Sequence, residues 1–179
     1  MQDDLPWSYP IELAAVPQEG AKFELVPDAE TRRRLAEVAN VISIPALAVS
    51  LEVRPVGAKG ADVEGALKGL VRQTCVVSLE EFDNEIAETI SVDYAVDPEG
   101  SAGSEDDEEV IEDIPDPIID GKIDLGALAT EFMILAIDPY PRKPGVTFAP
   151  PAGTEPVPEP RRSPFEQLSG LKGRLKKDN

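Results

Sequence analysis

The stretch LVRQTCVVSLEEF, residues 70–82, holds the only cysteine of the chain, Cys75. In a C-x-x-C pair the second sulfur would stand three residues later, where this chain has Ser78. A zinc site needs three or four Cys, His or carboxylate ligands, usually with sulfur or imidazole among them, and the chain has no histidine. We therefore predict no metal, no cofactor and no internal disulfide.

Cys75 itself is interpreted as a small buried hydrophobe on a β-strand. A reactive thiol needs a neighbouring cation to lower its pKa, and no Lys, Arg or His is arranged to do so in the sequence. We expect neither metal binding nor redox chemistry from residues 75–78.

Catalytic groups are scarce as well. Without histidine the commonest general base is missing, and neither a Ser–His nor a Cys–His nucleophile can form. The acidic run at residues 105–109 lacks the alternating ligands and the turn glycine of a calcium loop. The glycines within residues 100–104 are followed by no lysine that could hold a phosphate. The sequence predicts a protein that is not an enzyme.

Charge is distributed unevenly along the chain. The formal net charge is −18, and residues 76–138 contain 20 acidic residues and one basic residue, Lys122. That segment therefore carries −19, which leaves +1 for the remainder. Such a chain repels nucleic acid overall and attracts a basic protein over a long range. A solvated, mobile loop is the alternative interpretation of the same acids.

Two short basic segments could contact RNA instead. Arg32, Arg33 and Arg34 lie together on one side of a predicted helix, and residues 161–179 contain six basic and two acidic residues. A solvated helix face accounts for the first segment, and a helix end matched to its dipole accounts for the second. Direct RNA binding is kept as the alternative to a protein partner.

The hydrophobic pattern predicts that an α+β fold positions these side chains. Alternating apolar and polar residues predict five strands, at residues 9–16, 21–27, 41–56, 61–79 and 82–96. Helical spacing predicts two helices that begin at the N-cap residues Asp28 and Asp124 and end near Asn40 and Pro139. We expect an antiparallel β-meander or a partly closed barrel, covered by helices.

Three details refine this fold. Gly65 and Gly69 interrupt the strand pattern of residues 61–79, which predicts a β-bulge or a close approach of another backbone. Residues 110–120 contain too much proline for a central strand. Trp7 is expected to pack on the edge of the sheet.

The chain is expected to form a single α+β domain over residues 1–138, in which residues 97–113 are an acidic flexible loop. Residues 139–162 are a Pro-rich linker or strap, and residues 163–179 a C-terminal amphipathic helix or tail. No apolar run is long enough to span a bilayer, and the N-terminus lacks the pattern of a signal peptide. The protein is therefore expected to be cytoplasmic, with no membrane partner.

In their order along the chain, these landmarks resemble the YceD family of large ribosomal RNA subunit accumulation proteins. Residues 75–82 are similar to the family pattern C-x-x-C-x-x-x-F through Cys75 and Phe82, with Ser78 at the second cysteine position. An acidic loop follows. Asp124 and Leu125 then open a helix, as in the I-D-L start of the family.

The C-terminus extends the resemblance. Pro164 and Phe165, followed by leucines and lysines, are similar to the N-P-F-x-x-L-x-x-L-K ending of the family. Ser163 stands there in place of the asparagine. Together the motifs cover most of the chain from residue 41 onward.

The resemblance implies a bacterial, non-enzymatic ribosome biogenesis factor that supports accumulation or processing of 23S rRNA and large-subunit assembly. Combined with the charge, it favours a basic ribosomal protein or assembly factor as partner, with rRNA contacted indirectly. The alternative is a protein that binds precursor rRNA directly through Arg32, Arg33, Arg34 and the basic C-terminal tail. The oligomeric state is left open. The acids expected to imitate RNA and bind the partner are Glu80, Glu81, Asp83, Glu85, Glu105, Asp106, Asp107, Glu108 and Glu109.

Overall fold

The computed structural model describes residues 6–57, 59–96 and 114–147. The chain divides into two units, Met1–Val146 and Thr147–Asn179, and the first contains the strands and helices of the described residues. The predicted acidic loop at residues 97–113, residues 148–162 of the linker and the predicted C-terminal helix lie outside the described residues. The strands are β1 (Pro10–Glu12), β2 (Ala21–Leu25), β3 (Ser43–Val56), β4 (Gly60–Thr74), β5 (Glu81–Ala95), β6 (Asp116–Pro117) and β7 (Lys122–Asp124), and the helices are a short 3-10 helix (Leu13–Ala15), α1 (Ala29–Val38) and α2 (Leu125–Ala136).

The main sheet has five strands in the order β2-β3-β4-β5-β6. Its first four strands follow chain order and pair antiparallel, which confirms the predicted meander. β6 pairs with the end of β5 in parallel, at Tyr94 and Ala95 only. The described strands form an open sheet rather than a barrel, so the barrel alternative is wrong for this part of the chain.

Strict alternation along the strands builds the core. Leu47, Val49, Leu51 and Val53 of β3 are all buried, whereas Ser50 between them is exposed. Because successive side chains of a strand point to opposite faces, one face of the sheet is apolar. α1 contacts β3, and α2 contacts β1, β4 and β5. The apolar face joins the helices in one core cluster, as predicted for α2.

Both predicted helix starts are confirmed. The Asp28 carboxylate accepts the Thr31 N–H at 2.7 Å, and the Asp124 carboxylate accepts two N–H groups at the start of α2, each at 3.0 Å. α2 ends at Ala136, before the predicted stop at Pro139. A proline disfavours helical geometry at the residue before it, which moves the helix end toward the N-terminus.

The N-terminal prediction is partly wrong. A strand was expected over residues 9–16, but β1 covers only Pro10–Glu12 and is followed by the 3-10 helix. β1 pairs with β7, not with β2. Trp7 is 9% exposed and belongs to the core cluster rather than to a sheet edge.

The two strand glycines were correctly predicted as points of close approach. Gly65 and Gly69 lie on the core face of β4, where an added Cβ would meet the backbone of β3. The register shift of this pair occurs elsewhere, between Ser43 and Ala46 of β3. Of residues 110–120, the described part, 114–120, contributes no central strand: it holds the two-residue β6 at the sheet edge and one isolated bridge at Ile119, as the proline content predicts.

Candidate functional site

Cys75 lies in a closed turn that connects β4 to β5. The Leu79 N–H donates to the Cys75 carbonyl at 2.9 Å, and the Cys75 N–H donates to the Glu80 carbonyl at 2.9 Å. Leu79 has a φ of 59°, a left-handed conformation that lets the chain reverse within these few residues. The prediction of burial is confirmed, since Cys75 is 0% exposed, but its placement on a strand is wrong because β4 ends at Thr74.

The Cys75 sulfur is a hydrogen-bond acceptor. It receives the N–H groups of Val77 and Ser78 at 3.4 Å and that of Lys143 at 3.3 Å. The pKa of the thiol is lowered to about 6, first by the Ser78 hydroxyl and then by the backbone N–H groups of Ser78, Lys143 and Val77, while burial raises it. The sequence points to no cation that would lower this pKa, and the structure adds none; hydrogen-bond donors lower it instead.

This turn anchors a later segment of the chain. Besides the Lys143 N–H on sulfur, the Val76 N–H donates to the Pro141 carbonyl at 2.9 Å. The Lys143 ammonium pairs with Glu80 at 2.9 Å, and the buried Gln73 amide donates to the Asp138 carbonyl at 2.9 Å. Together these contacts hold residues 138–143 against the end of the sheet.

Metal chemistry has no ligand set at this turn. Among residues 6–57, 59–96 and 114–147, no three His, Cys, Asp or Glu side chains converge as metal ligands would. The position that a second cysteine would take is filled by Ser78, whose N–H donates to the sulfur at 3.4 Å. The contacts of the turn with residues 138–143 are what give it a structural role.

We predict that the stability of the fold rises with pH through the titration of Cys75. The folded thiol has a pKa of about 6, whereas an unfolded thiol keeps its proton up to about pH 8.5. Between these values the folded chain binds fewer protons than the unfolded chain, so the free energy of unfolding increases with pH, and below about pH 6 this contribution is lost. Urea unfolding across this range measures it.

The control for this titration is Cys75→Ala, which removes the group and with it this component of the pH dependence. Ser78→Ala removes the side chain with the largest influence on the pKa of the thiol. The free energy of unfolding of this variant should therefore increase less with pH than that of the wild type. If wild type and Cys75→Ala gained equal stability over the range, the lowered pKa would be contradicted.

The described members of the predicted acidic surface lie together. Glu81, Asp83 and Glu85 alternate along β5 on the side of the sheet away from the core, and Glu80 precedes them in the turn. They differ in charge compensation. Asp83 accepts two hydrogen bonds from Arg72, at 2.7 and 3.0 Å, which lower the pKa of its carboxyl.

Two of these acids form no close ion pair. Within the described residues Glu81 and Glu85 take part in no ion pair, whereas Glu80 and Asp83 do. The other five predicted partner-binding residues lie outside the described residues: Glu105, Asp106, Asp107, Glu108 and Glu109.

Strand register adds acids that the sequence analysis did not single out. Asp62 of β4 stands directly opposite Asp93 of β5. Partial burial, followed by the charges of Asp93 and Glu64, raises the pKa of Asp62. Glu88 is exposed in the middle of β5. Alternation could assign these residues to strands, but only the register shows that two of them face each other.

Two of the three clustered arginines are engaged by groups in their own helix or just before it. Arg33 pairs with both Glu30 and Glu37, and these partners raise the pKa of its guanidinium. Arg32 donates to the Pro27 carbonyl at 2.7 Å. Two of the three arginines are therefore not free to contact phosphate without giving up these contacts, whereas Arg34 is exposed.

The family-motif residues have definable positions where the structure describes them. Cys75 and Ser78 form the turn, Phe82 is half-buried at the start of β5, and Asp124 and Leu125 open α2. Leu125 is fully buried. Pro164 and Phe165 lie outside the described residues.

The fold and the site thus define a class: an α+β protein with an acidic strand surface and a thiol-centred structural turn. The family model described as "Large ribosomal RNA subunit accumulation protein YceD" matches residues 63–172, more than half of the chain. The chain belongs to this family, which confirms the resemblance seen in its motifs. No curated protein and no solved structure matches it.

Membership implies a role in the accumulation of large-subunit ribosomal RNA. The matched residues begin within β4, include the Cys75 turn, β5 and α2, and continue to residue 172. In the described part of the chain, neither helix has both the length and the hydrophobicity needed to cross a membrane.

Proposed function

We propose that this protein is a non-enzymatic, cytoplasmic factor that supports large-subunit assembly by capturing a basic ribosomal protein or assembly factor on its acidic surface. The observation that carries the proposal is the charge of β5, which contains five acidic and no basic residues. Ribosomal proteins that bind rRNA must present lysine and arginine to phosphate. A surface that imitates RNA can hold such a protein until rRNA displaces it.

The electrostatic argument depends on which charges are free. Long-range attraction of a cationic partner follows the net charge of a surface, and ion pairs within the protein reduce it. Arg72 offsets Asp83 and Lys143 offsets Glu80. Of the acids singled out in the sequence, Glu81 and Glu85 are exposed and outside any ion pair among the described residues, and we assign them the main role.

We include the acids at residues 105–109 in the proposed binding surface because of their charge. Their five carboxylates are contiguous in sequence and add to the same −19 segment. Because residues 97–113 connect directly to the end of β5 in the chain, these acids belong to the same stretch of sequence as the strand acids. Glutamine and asparagine replacement of the run forms a separate arm of the test.

The test compares the wild type with the double variant Glu81→Gln, Glu85→Gln. Proteins extracted with salt from large ribosomal subunits are passed over each immobilised form, and the retained proteins are identified and eluted with increasing salt. We expect the variant to hold basic proteins about threefold to tenfold more weakly, because each exposed charge contact contributes about 0.2–1 kcal/mol. Its elution should also depend less steeply on salt.

The control is Glu12→Gln with Glu19→Gln, which changes the net charge equally through two exposed acids outside β5. It should retain basic proteins like the wild type. Unchanged retention by the β5 variant, or equal losses in both variants, would count against capture by this surface. Family membership would be unaffected by either outcome.

A further inference from the structure

One long edge of the main sheet is open in the described structure. β5 pairs with β4 along its whole length, from Thr74 opposite Glu81 to Gly60 opposite Ala95. On its other side the described residues give one partner, β6, which pairs at Tyr94 and Ala95. Within the described parts of the chain, no strand pairs with residues 81–93 on that side. An unpaired edge of this length is a template for a further strand.

The direction of the edge groups can be derived from two hydrogen bonds. The Val96 N–H donates to the Lys59 carbonyl, toward β4, whereas the Ala95 carbonyl accepts the Ile118 N–H on the opposite side. The β4–β5 register runs without a shift, and backbone groups alternate in direction along a strand. The outward backbone groups are therefore those of the odd-numbered residues Glu81, Asp83, Glu85, Ala87, Thr89, Ser91 and Asp93.

Exposure along the strand agrees with an uncovered edge. Ala87, Glu88 and Thr89 are exposed in succession, whereas a strand with a covered face shows strict alternation. Glu88 has the same parity as the buried Ile86 and Ile90. The middle of β5 is thus exposed on both faces of the sheet, and neither face carries a described element that would also cover the edge there.

The same residues of β5 provide both the outward backbone groups and the side chains of the open face. The odd-numbered residues whose backbone groups point outward also carry their side chains on the open face, among them Glu81, Asp83 and Glu85. A residue directly opposite in an added antiparallel strand would place its Cβ about 4.5–5.5 Å away on the same face. Lysine or arginine at alternate positions of that strand would therefore stand beside these carboxylates.

We propose that the open edge of β5 binds an extended cationic segment of the partner protein as an added antiparallel strand, with lysine or arginine at alternate positions. This inference rests on the proposed function and specifies its mode of binding. A second copy of this chain is the poorer occupant, because five acids and no base on each β5 would oppose one another. Strand addition combines main-chain hydrogen bonds with side-chain selection.

The first test uses synthetic peptides and the full chain. A peptide alternating Lys and Thr, long enough to span residues 81–93, should bind, and its Glu–Thr counterpart should not. In the antiparallel pairing the lysine N–H groups face β5 and the threonine N–H groups face away. Methylation of the backbone nitrogens of the lysines should weaken binding by about tenfold or more. Methylation of the backbone nitrogens of the threonines should leave binding unchanged. Both methylated peptides carry the same charge.

The second test changes the protein. Ala87→Pro removes an outward N–H without removing a bond to β4, and edge strands tolerate proline at such positions. Its peptide binding should fall by about tenfold, while Ala87→Thr, which keeps the N–H and favours strands, should bind like the wild type. Circular dichroism establishes that both variants are folded, and the methylated peptides decide the question if Ala87→Pro does not fold.

The outcomes separate the two proposals. If both methylated peptides bind equally and Ala87→Pro binds normally, strand addition is overturned and the acids only protect the edge from aggregation. If the Glu81→Gln, Glu85→Gln variant still loses affinity for basic ribosomal proteins in that case, the proposed function stands without this mode. Concentration-dependent dimers abolished by Ala87→Pro would show a second copy as the occupant and overturn the inference.

Discussion

Replacement of Gly65 by alanine should lower the free energy of unfolding by about 3 kcal/mol or more. An alanine Cβ at this position would stand 2.0 Å from the Ser50 carbonyl oxygen and 2.9 Å from the Leu51 Cα. Both atoms belong to the backbone of β3, which is paired with β4 along this stretch and cannot shift alone. Urea unfolding of the variant measures the loss.

The matched control for this substitution is the next residue. Ala66 is exposed on the opposite face of β4, so Ala66→Val should change stability by no more than about 0.5 kcal/mol. The stability loss of Gly69→Ala should lie between those of Gly65→Ala and Ala66→Val, because its Cβ would lie 3.0 Å from the Ala46 carbonyl oxygen and 3.1 Å from a Leu47 side-chain atom. A Gly65→Ala protein as stable as Ala66→Val would show that the two strands separate easily at this point.

Features that depend on local pattern were predictable from the sequence. The alternation within residues 41–56 predicted β3, which covers Ser43–Val56, and it did so because burial of one sheet face imposes a period of two. Asp28 and Asp124 were recognisable as N-caps because a carboxylate before a helical pattern satisfies otherwise unpaired N–H groups. The α+β class followed from these elements.

Features that depend on distant contacts were not predictable. The pairing of β1 with β7 joins residues more than a hundred positions apart, as the bond from the Tyr9 N–H to Asp124 does with a separation of 115. The predicted meander would pair β1 with β2, its neighbour in sequence, and no local pattern excludes that pairing. The facing pair of Asp62 and Asp93 likewise follows from register, which alternation does not determine.

The Cys75 turn illustrates a different limit. From the sequence, a thiol without a neighbouring cation has an ordinary pKa. The donors that lower the pKa are a hydroxyl and three backbone N–H groups, and every residue except proline carries such an N–H. Their convergence depends on the backbone path of the turn and on Lys143, which is 68 residues away in sequence. Residue types alone do not contain this information.

The I-D-L-G motif that marked the start of α2 also joins the N-terminus to the fold. The Asp124 carboxylate caps the helix and accepts both the Tyr9 N–H at 2.7 Å and the Ser8 hydroxyl at 2.5 Å. The Leu125 N–H donates to the Tyr9 carbonyl at 3.0 Å. A Cβ on Gly126 would lie 2.8 Å from the Tyr9 nitrogen, so the glycine is what allows this close approach. One motif therefore starts α2 and also binds the N-terminal segment that leads into β1.

Substitution of Asp124 by alanine should therefore lower the free energy of unfolding by about 2 kcal/mol, more than the loss of an ordinary N-cap. The variant loses the two helix N–H contacts and the two contacts with Ser8 and Tyr9. Trp7, the only tryptophan of the chain, is 9% exposed next to these residues. Its fluorescence emission should shift to longer wavelength when the N-terminal segment is released, and urea unfolding gives the change in stability.

Asp28→Ala provides the matched comparison, because Asp28 caps α1 through the Thr31 N–H and has no contact with the N-terminal segment among its described bonds. Asp28→Ala should lower the free energy of unfolding by about 1 kcal/mol and leave the Trp7 emission unchanged. Asp124→Asn keeps an acceptor oxygen for the helix N–H groups, so it should lose less stability than Asp124→Ala. Were Asp124→Ala and Asp28→Ala to lose equal stability with no change in Trp7 emission, Asp124 would act as a helix cap alone, and the close approach at Gly126 would have to be maintained by the β1–β7 pairing.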